Sequence, residues 1–460
     1  MKINKRLKDG SLYLVANLIN KGIGFLTIPI FTRIMTTSEY GEVDTYLSFV
    51  SLMLPIIGLY LGRAKRNAYV DFPTELSSFD KTIYIGSTLF ALVILISMVI
   101  IGKIIKIPLN SILIIACCVQ AFMSYIIECK MISLLMEEKA LKRAILMSFP
   151  NMIVSILSLV ILLNITQGKQ YGRIAAYFFV YLVFGGYIYI KTVLKKNTKI
   201  KKSYLSYSAS ISIPLIFHGL AISILASSDR IMITYFFGAS ETGIYSLYYN
   251  VSLITLVISS AVENVWVPWF TKQMLENKKK IIYMGANICT LFIAVVTVIM
   301  MMISPEIIKI MADKKYWGHE VLIIPIIIAP FIMYAYTNLV NYEQYYKQTK
   351  MIAKNTFIAA FSNIVLNVIF IPYYGAVAAA FTTLVSYIIL YFAHYFSCKK
   401  EARKLFNIKC VGLALGLILI MSILFIVFVD KIMIRYLIAL VMCILSYLFI
   451  IKIKEKVKRV

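Results

Sequence analysis

Four cations stand within stretches too apolar to hold them cheaply: Lys21, Arg33, Lys130 and Arg230. A charge at mid-membrane costs about 2.5–3.5 kcal/mol on insertion scales. The chemistry open to such a residue is to hold an anion or to pair with a carboxylate. Lys21 shares one helical stripe with Asn17, Asn20, Gly24 and Thr27. Arg33 lies at the outer end of the same apolar run, where a long side chain can reach the interface. Arg230 follows Asp229, and the two can neutralise each other. Lys130 sits two residues from Glu128 and reads as structural. Asp44 and Glu263 have no sequence-local partner; each either binds a proton or cation that drives transport or pairs with Lys21 or Arg230. The expected cavity set is therefore Lys21, Arg33, Arg230, Asn17 and Asn20, and the expected coupling or ion-pair set is Asp44, Asp229 and Glu263. At the cytoplasmic end of the second apolar run stand Arg63, Lys65 and Arg66. Topology alone accounts for them; the sharper reading is a first contact for a phosphate headgroup, since Arg grips phosphate with two parallel hydrogen bonds.

The elements that must carry these residues are membrane spans. The chain has 460 residues, 61% of them hydrophobic, against the roughly 45–50% of soluble domains. Apolar runs of spanning length are expected at 11–35, 41–62, 82–102, 109–136, 144–165, 171–194, 206–237, 242–270, 281–303, 321–345, 355–372, 375–397, 411–429 and 433–452. With the N-terminus in the cytoplasm, the connections on that side carry 34 Lys and Arg and the opposite side 9. That asymmetry orients the chain with both termini cytoplasmic. The first run is too long for a cleavable signal and stays as the first helix. The longest outer connection, Ser304 to Glu320, carries Trp317 at the interface, and no extramembrane domain is expected.

Two markers recur at a fixed distance. Thr32 to Tyr46 returns as Thr234 to Tyr248, with Ser38-Glu39-x-Gly41 matched by Ser240-Glu241-x-Gly243, 202 residues on. Tyr171-Gly172-Arg173-Ile174-Ala175-Ala176 returns as Tyr374-Gly375-Ala376-Val377-Ala378-Ala379, 203 residues on. In each copy of the first marker Ser can cap a helix whose first turn carries Glu, and Gly lets two helices approach closely. A duplicated unit of six helices follows, with both copies in the same topology and related by an axis along the membrane normal. The expected fold is all-α and polytopic, with about 14 spans. A six-helix lobe at 1–202 ends in a basic cytoplasmic linker from 191, a second lobe covers 203–400, and two extra helices with a basic tail occupy 401–460. Polar stripes on the first two helices of each lobe (Asp44, Ser48, Ser51; Ser223, Ser227, Arg230; Ser252, Ser259, Glu263) are expected to face a central cavity.

Several function classes drop out. The net charge of +26 would suggest nucleic acid in a soluble chain. Here the basic residues form short runs between apolar segments, so topology explains them and no nucleic-acid partner is expected. The seven Cys form no metal-type pair and read as small core hydrophobes, so no metal site and no cofactor are expected, proton or sodium coupling being left open. His218, His319 and His394 form no sequence constellation for an enzyme.

These residues carry a resemblance. Pro29-x-x-Thr32-Arg33 with Ser38-Glu39-Tyr40-Gly41, Asp229-Arg230 with Phe237-Gly238 and Glu241-x-Gly243-x-Tyr245, and Tyr374-Gly375-Ala376-Val377-Ala378-Ala379 resemble the Wzx-type polysaccharide, or O-antigen, flippases. These belong to the multidrug/oligosaccharidyl-lipid/polysaccharide exporter superfamily. The likeness extends over the whole chain. It implies a flippase, not an enzyme, that moves an undecaprenyl-pyrophosphate-linked oligosaccharide across the bacterial inner (cytoplasmic) membrane by alternating access. Its product would feed O-antigen, lipopolysaccharide or capsule synthesis, with a polymerase and chain-length machinery as partners downstream. It also implies that Lys21, Arg33 and Arg230 hold pyrophosphate or acidic sugars. The alternatives are a cation-coupled multidrug exporter and a lipid II flippase of the same superfamily.

Overall fold

A computed structural model describes residues 22–105 and 107–458, so Asn17, Asn20 and Lys21 lie outside the described residues. Every long element among them is a helix, and no strand occurs. In chain order these are α1 (Gly22–Ile34), α2 (Thr37–Ile57), α3 (Lys65–Asp71), α4 (Leu76–Ile105), α5 (Ser111–Met136), α6 (Ala140–Asn164), α7 (Lys169–Val193), α8 (Lys202–Phe237), α9 (Ala239–Leu275), α10 (Lys279–Met311), α11 (Ile323–Tyr345), α12 (Thr349–Ser397), α13 (Lys400–Leu405), α14 (Ile408–Val427) and α15 (Ile432–Lys458). Ten are long and apolar enough to cross a membrane, and an eleventh span results if the bent pair formed by α2 and the segment Leu61–Asp71 counts as one. The chain is an all-α polytopic membrane protein, as its apolar runs predict.

The exceptions to straight helices have local causes. Between α2 and α3 the chain bends by 57°, after Pro55 and through Leu59 and Tyr60, both with left-handed φ. α12 contains two expected spans end to end. They meet at Gly375, whose φ of 55° and ψ of −134° break the helical path and suit a residue without Cβ. Its two halves pack through amide and hydroxyl groups: Asn363 donates to Thr383 and Asn367 to Asn363 (both 3.2 Å), and Thr382 donates to Asn367. Such bonds are how membrane helices satisfy polar side chains. The connection between α10 and α11 is shorter than the sequence suggests. α10 stays helical to Met311, and Trp317 is tied back by its indole nitrogen to the Ala312 carbonyl at 3.2 Å.

By packing, the described residues form two compact units, the first ending at Gly243 and the second running from Ile244. The sequence repeat instead divides the chain after residue 202. The difference concerns α8, which packs against α2 and α4 in the first unit. Ser212 on α8 donates to the Leu61 carbonyl, Lys201 just before it pairs with Glu75, and Gly86 on α4 leaves room for Leu205. In the second unit α10 packs on α11, α14 and α15, and α11 on α12.

The start of α2 shows how the first marker works. Thr36 caps the helix; its hydroxyl accepts from the Glu39 backbone N–H (3.1 Å), and the Glu39 carboxylate accepts from the Thr36 N–H (2.8 Å). This capping box corrects the expectation that Ser38 is the cap. The other Glu39 oxygen accepts from the Lys169 backbone at the head of α7 (3.1 Å), two residues before the second repeat marker.

Candidate functional site

Where α2 and α9 begin, the two copies of the first marker meet within the first unit. A Cβ on Gly41 would run into the Ala239 carbonyl and lie 2.7 Å from the Gly243 nitrogen. One on Gly243 would run into the Thr37 carbonyl and lie 3.1 Å from the Gly41 nitrogen. Hydroxyls seal this crossing: Thr37 with Ser240 (2.7 Å), Thr45 with Thr234 (2.5 Å) and Thr234 with Thr242 (2.6 Å). The glycines are thus needed for backbone contact.

One helical turn further along α2 lies a group of charges. Tyr40, buried, feels Asp44, Arg173, Tyr177 and Arg230 electrostatically. Arg173, on α7, is 7% exposed; its guanidinium carbon stands 4.1 Å from the centre of the Phe31 ring and 5.2 Å from that of Tyr40. Arg230 is half-buried on α8, and its guanidinium donates to the Ala226 carbonyl at 3.0 Å. Asp229 beside it is buried. Arg33 is exposed and donates to the Pro29 carbonyl at 2.8 Å. The sequence-expected residues Asp44 and Arg230 therefore share a neighbourhood around Tyr40, while Arg33 is not among the charges that act on it.

Arg173 is the residue sequence reasoning left out. Counting charges by connection leaves it with the outer loop, yet α7 begins at Lys169, so Arg173 is already in its second turn and buried. The signal was available: Arg173 and Tyr177 are four apart, on one helical face. Arg435, counted the same way, is also buried. Its guanidinium makes a two-pronged ion pair with Glu306 at 2.5 and 2.8 Å and reaches the Met302 carbonyl.

The three basic residues after α2 separate by role. Arg66 is exposed. Arg63 is half-exposed, stacks on Tyr60 (4.3 Å) and pairs with Glu128 at 3.8 Å. Lys65 is 1% exposed, with its ammonium 2.8 Å from Asp80 and 3.1 Å from the Cys129 carbonyl. Its charge is used within the first unit.

In the second unit, Glu263 accepts a 2.6 Å hydrogen bond from Thr337. A denser polar cluster forms where α11 ends. Glu343 and His394, both fully buried, meet at 2.8 Å, and Asn355, Ser397 and Cys398 surround them. The sequence alone does not announce this pair. Glu343 and His394 are 51 residues apart and meet only because α12 folds back along α11. No cluster of three or more metal-ligating side chains occurs among the described residues.

Buried and half-buried cations thus stand on helices long and apolar enough to span a membrane. Residues 6–274 match the family described as "Polysaccharide biosynthesis protein", and the chain belongs to that family. It is 26% identical over 397 residues to "Lsg locus putative protein 1" of Haemophilus influenzae, covering 82% of this chain and 95% of that protein. Among solved structures it is similar to the lipid II flippase MurJ in an inward closed conformation, with a TM-score of 0.72 at 15% identity, over 96% of this chain and 99% of MurJ. It is also similar to an inward-facing multidrug resistance transporter of the MATE family and MOP superfamily, with a TM-score of 0.59 at 13% identity, over 82% and 93% of the two chains. At these identities the likenesses are of fold. They agree with the superfamily that the sequence motifs resemble.

Proposed function

We propose that this protein is a flippase that carries an undecaprenyl-pyrophosphate-linked oligosaccharide from the cytoplasmic to the outer leaflet of the bacterial cytoplasmic membrane by alternating access, with both termini in the cytoplasm. The observation that carries this reading is membership of the polysaccharide biosynthesis family combined with cations on spanning helices. A cargo with a pyrophosphate or acidic sugars needs positive charge along its path, whereas a carrier of cationic drugs needs carboxylates. The resemblance of fold to a lipid II flippase supports a lipid-linked cargo.

Lys21 and Arg230, with Asn17, Asn20 and Arg33, are the proposed contacts for the anionic headgroup. Arg63 and Arg66 are its proposed first contacts, since Lys65 is engaged by Asp80. The repeat lobes 1–202 and 203–400 are the proposed moving parts, and O-antigen or capsule polymerisation is the proposed next step. Asp44, Asp229 and Glu263 are the proposed groups for ion coupling or internal pairing.

The test is complementation of a deletion strain with Lys21→Ala and Arg230→Ala at unchanged expression, reading surface polysaccharide. The proposal expects both to lower it by tenfold or more, about 1.4 kcal/mol or more of lost headgroup interaction. Full export by both variants overturns the site assignment. An unchanged polysaccharide with raised sensitivity to cationic drugs in the deletion strain favours a multidrug exporter.

A further inference from the structure

A cavity of about 250 Å³ lies within the first unit, between α1, α6 and α7. Its lining includes Thr27 and Phe31 of α1, Ser155 and Ser158 of α6, and Arg173 and Tyr177 of α7. None of these belongs to the headgroup path proposed above. A single water needs roughly 10–15 Å³ of such space, so the cavity has room for a small polyatomic group.

The polar atoms around it are unequally satisfied. Arg173 is held in place from three sides: Phe31 covers its guanidinium at 4.1 Å, Tyr40 stands at 5.2 Å, and Tyr177 hydrogen-bonds it. Among the described residues, its Nε and Nη1 have no hydrogen-bond acceptor, although both are buried. Asp44 acts on the guanidinium only at electrostatic range and makes no ion pair with it. The Ser158 hydroxyl is also fully buried, with no hydrogen-bond partner among the described residues. Thr27 and Ser155 by contrast donate to backbone carbonyls of their own helices, at 3.0 Å in both cases. Their oxygens keep lone pairs for a ligand's hydroxyl. The cavity thus offers one fixed positive charge, three uncommitted donor groups and hydroxyl acceptors.

Buried donors in proteins find acceptors, and a buried guanidinium with no directly paired carboxylate among the described residues favours negative charge beside it. A neutral solute would leave that charge unbalanced, and a cation would be repelled. We propose that this cavity binds a small oxyanion, a phosphate or carboxylate group, held by Arg173 and Ser158, with Thr27 and Ser155 accepting from a hydroxyl where the anion carries one, as a protonated phosphate does. The oxyanion comes either free from solution or on the headgroup of a lipid-linked sugar. Arg173 and Ser158 are not among the proposed headgroup contacts, and the test reads binding, so the site stands or falls independently of transport.

The experiment uses the full chain in phosphatidylcholine nanodiscs, with binding measured by calorimetry and by the shift of the thermal midpoint. The probes are inorganic phosphate, acetate and sodium chloride at matched ionic strength, and nanodiscs doped with undecaprenyl phosphate. The wild type is expected to respond to phosphate and acetate over chloride if the anion is free, or only to the doped nanodiscs if it is lipid-borne; either result supports the site. Arg173→Lys is expected to bind about tenfold more weakly, because it keeps the charge and loses the fixed donors. Ser158→Ala is expected to weaken binding severalfold, and Arg173→Gln to abolish it. Should Arg173→Gln fail to fold, Arg173→Lys and Ser158→Ala carry the test. The proposal is overturned if no probe binds the wild type, or if these variants bind the probe as the wild type does, in which case the cavity holds only water.

Discussion

Replacing Gly41 by Ala tests the crossing of α2 and α9 with one methyl group. The new Cβ would meet the Ala239 carbonyl and stand 2.7 Å from the Gly243 nitrogen, where ordinary contact begins at 3.4 Å. Both obstacles are backbone, so no rotamer change relieves them and the helices must part. Overpacking of this kind costs about 1–3 kcal/mol. Parting also stretches the Thr37–Ser240 and Thr45–Thr234 bonds. Interhelical hydroxyl bonds in membrane bundles average about 0.6 kcal/mol each, so the total is about 2–4 kcal/mol. Gly243→Ala meets the Thr37 carbonyl and should cost the same. Gly412 and Gly416 have nothing within 4 Å of a built Cβ; Ala there should be neutral or slightly stabilising, since Gly disfavours helix. The assay is thermal unfolding of purified protein in nanodiscs, followed by tryptophan fluorescence. Gly41→Ala should lower the midpoint by several degrees while Gly412→Ala does not. Equal midpoints for the two would refute the close approach at the repeated motif.

Arg435→Met leaves Glu306 without its partner and removes the bond to the Met302 carbonyl. Breaking such a buried pair costs about 3–5 kcal/mol, and the double variant Arg435→Met with Glu306→Gln should recover part of it in the same unfolding assay. Gly375→Ala forces a side chain into a φ of 55° with a ψ of −134°; backbone strain of about 1–3 kcal/mol should appear as lowered thermal stability. Glu401, in the short helix α13, is held below the usual carboxylate range chiefly by its hydrogen bond from Lys279, then by that from Tyr342. A lowered folded-state pKa means that its stabilisation is present above the ordinary value of 4.5 and fades as pH falls through the lowered one. The thermal midpoint of the wild type should therefore approach that of Glu401→Gln on acidification, and a constant gap between them from neutral to strongly acidic pH would contradict the pairing.

What the sequence made legible follows from what is local. Apolar runs of spanning length mark their helices without knowledge of the fold, because the bilayer leaves helices as the means for such segments to satisfy their backbone. The repeat made Gly41 and Gly243 visible as sites of close approach. It did not reveal that each glycine is the other's partner, since that depends on how α2 and α9 cross. Thr36, Thr37 and Ser38 are three adjacent residues able to cap a helix, and the choice of Thr36 over Ser38 is fixed by the Glu39 carboxylate reaching back. Arg173 and Arg435 were lost to charge counting, which treats a cation near a span end as a loop residue. Only packing shows that Phe31 and Tyr40 enclose the one and Glu306 the other. The Glu343–His394 pair joins residues from α11 and from the second half of α12, so no local pattern announces it.

The central claim is that this chain moves a lipid-linked oligosaccharide. The most direct measurement is mass spectrometry of lipid-linked sugars in cells lacking the protein, with surface polysaccharide measured in parallel. The account predicts accumulation of an undecaprenyl-pyrophosphate oligosaccharide and loss of the surface polymer, both reversed by the wild-type chain. An unchanged lipid-linked pool with an intact surface polymer would contradict it.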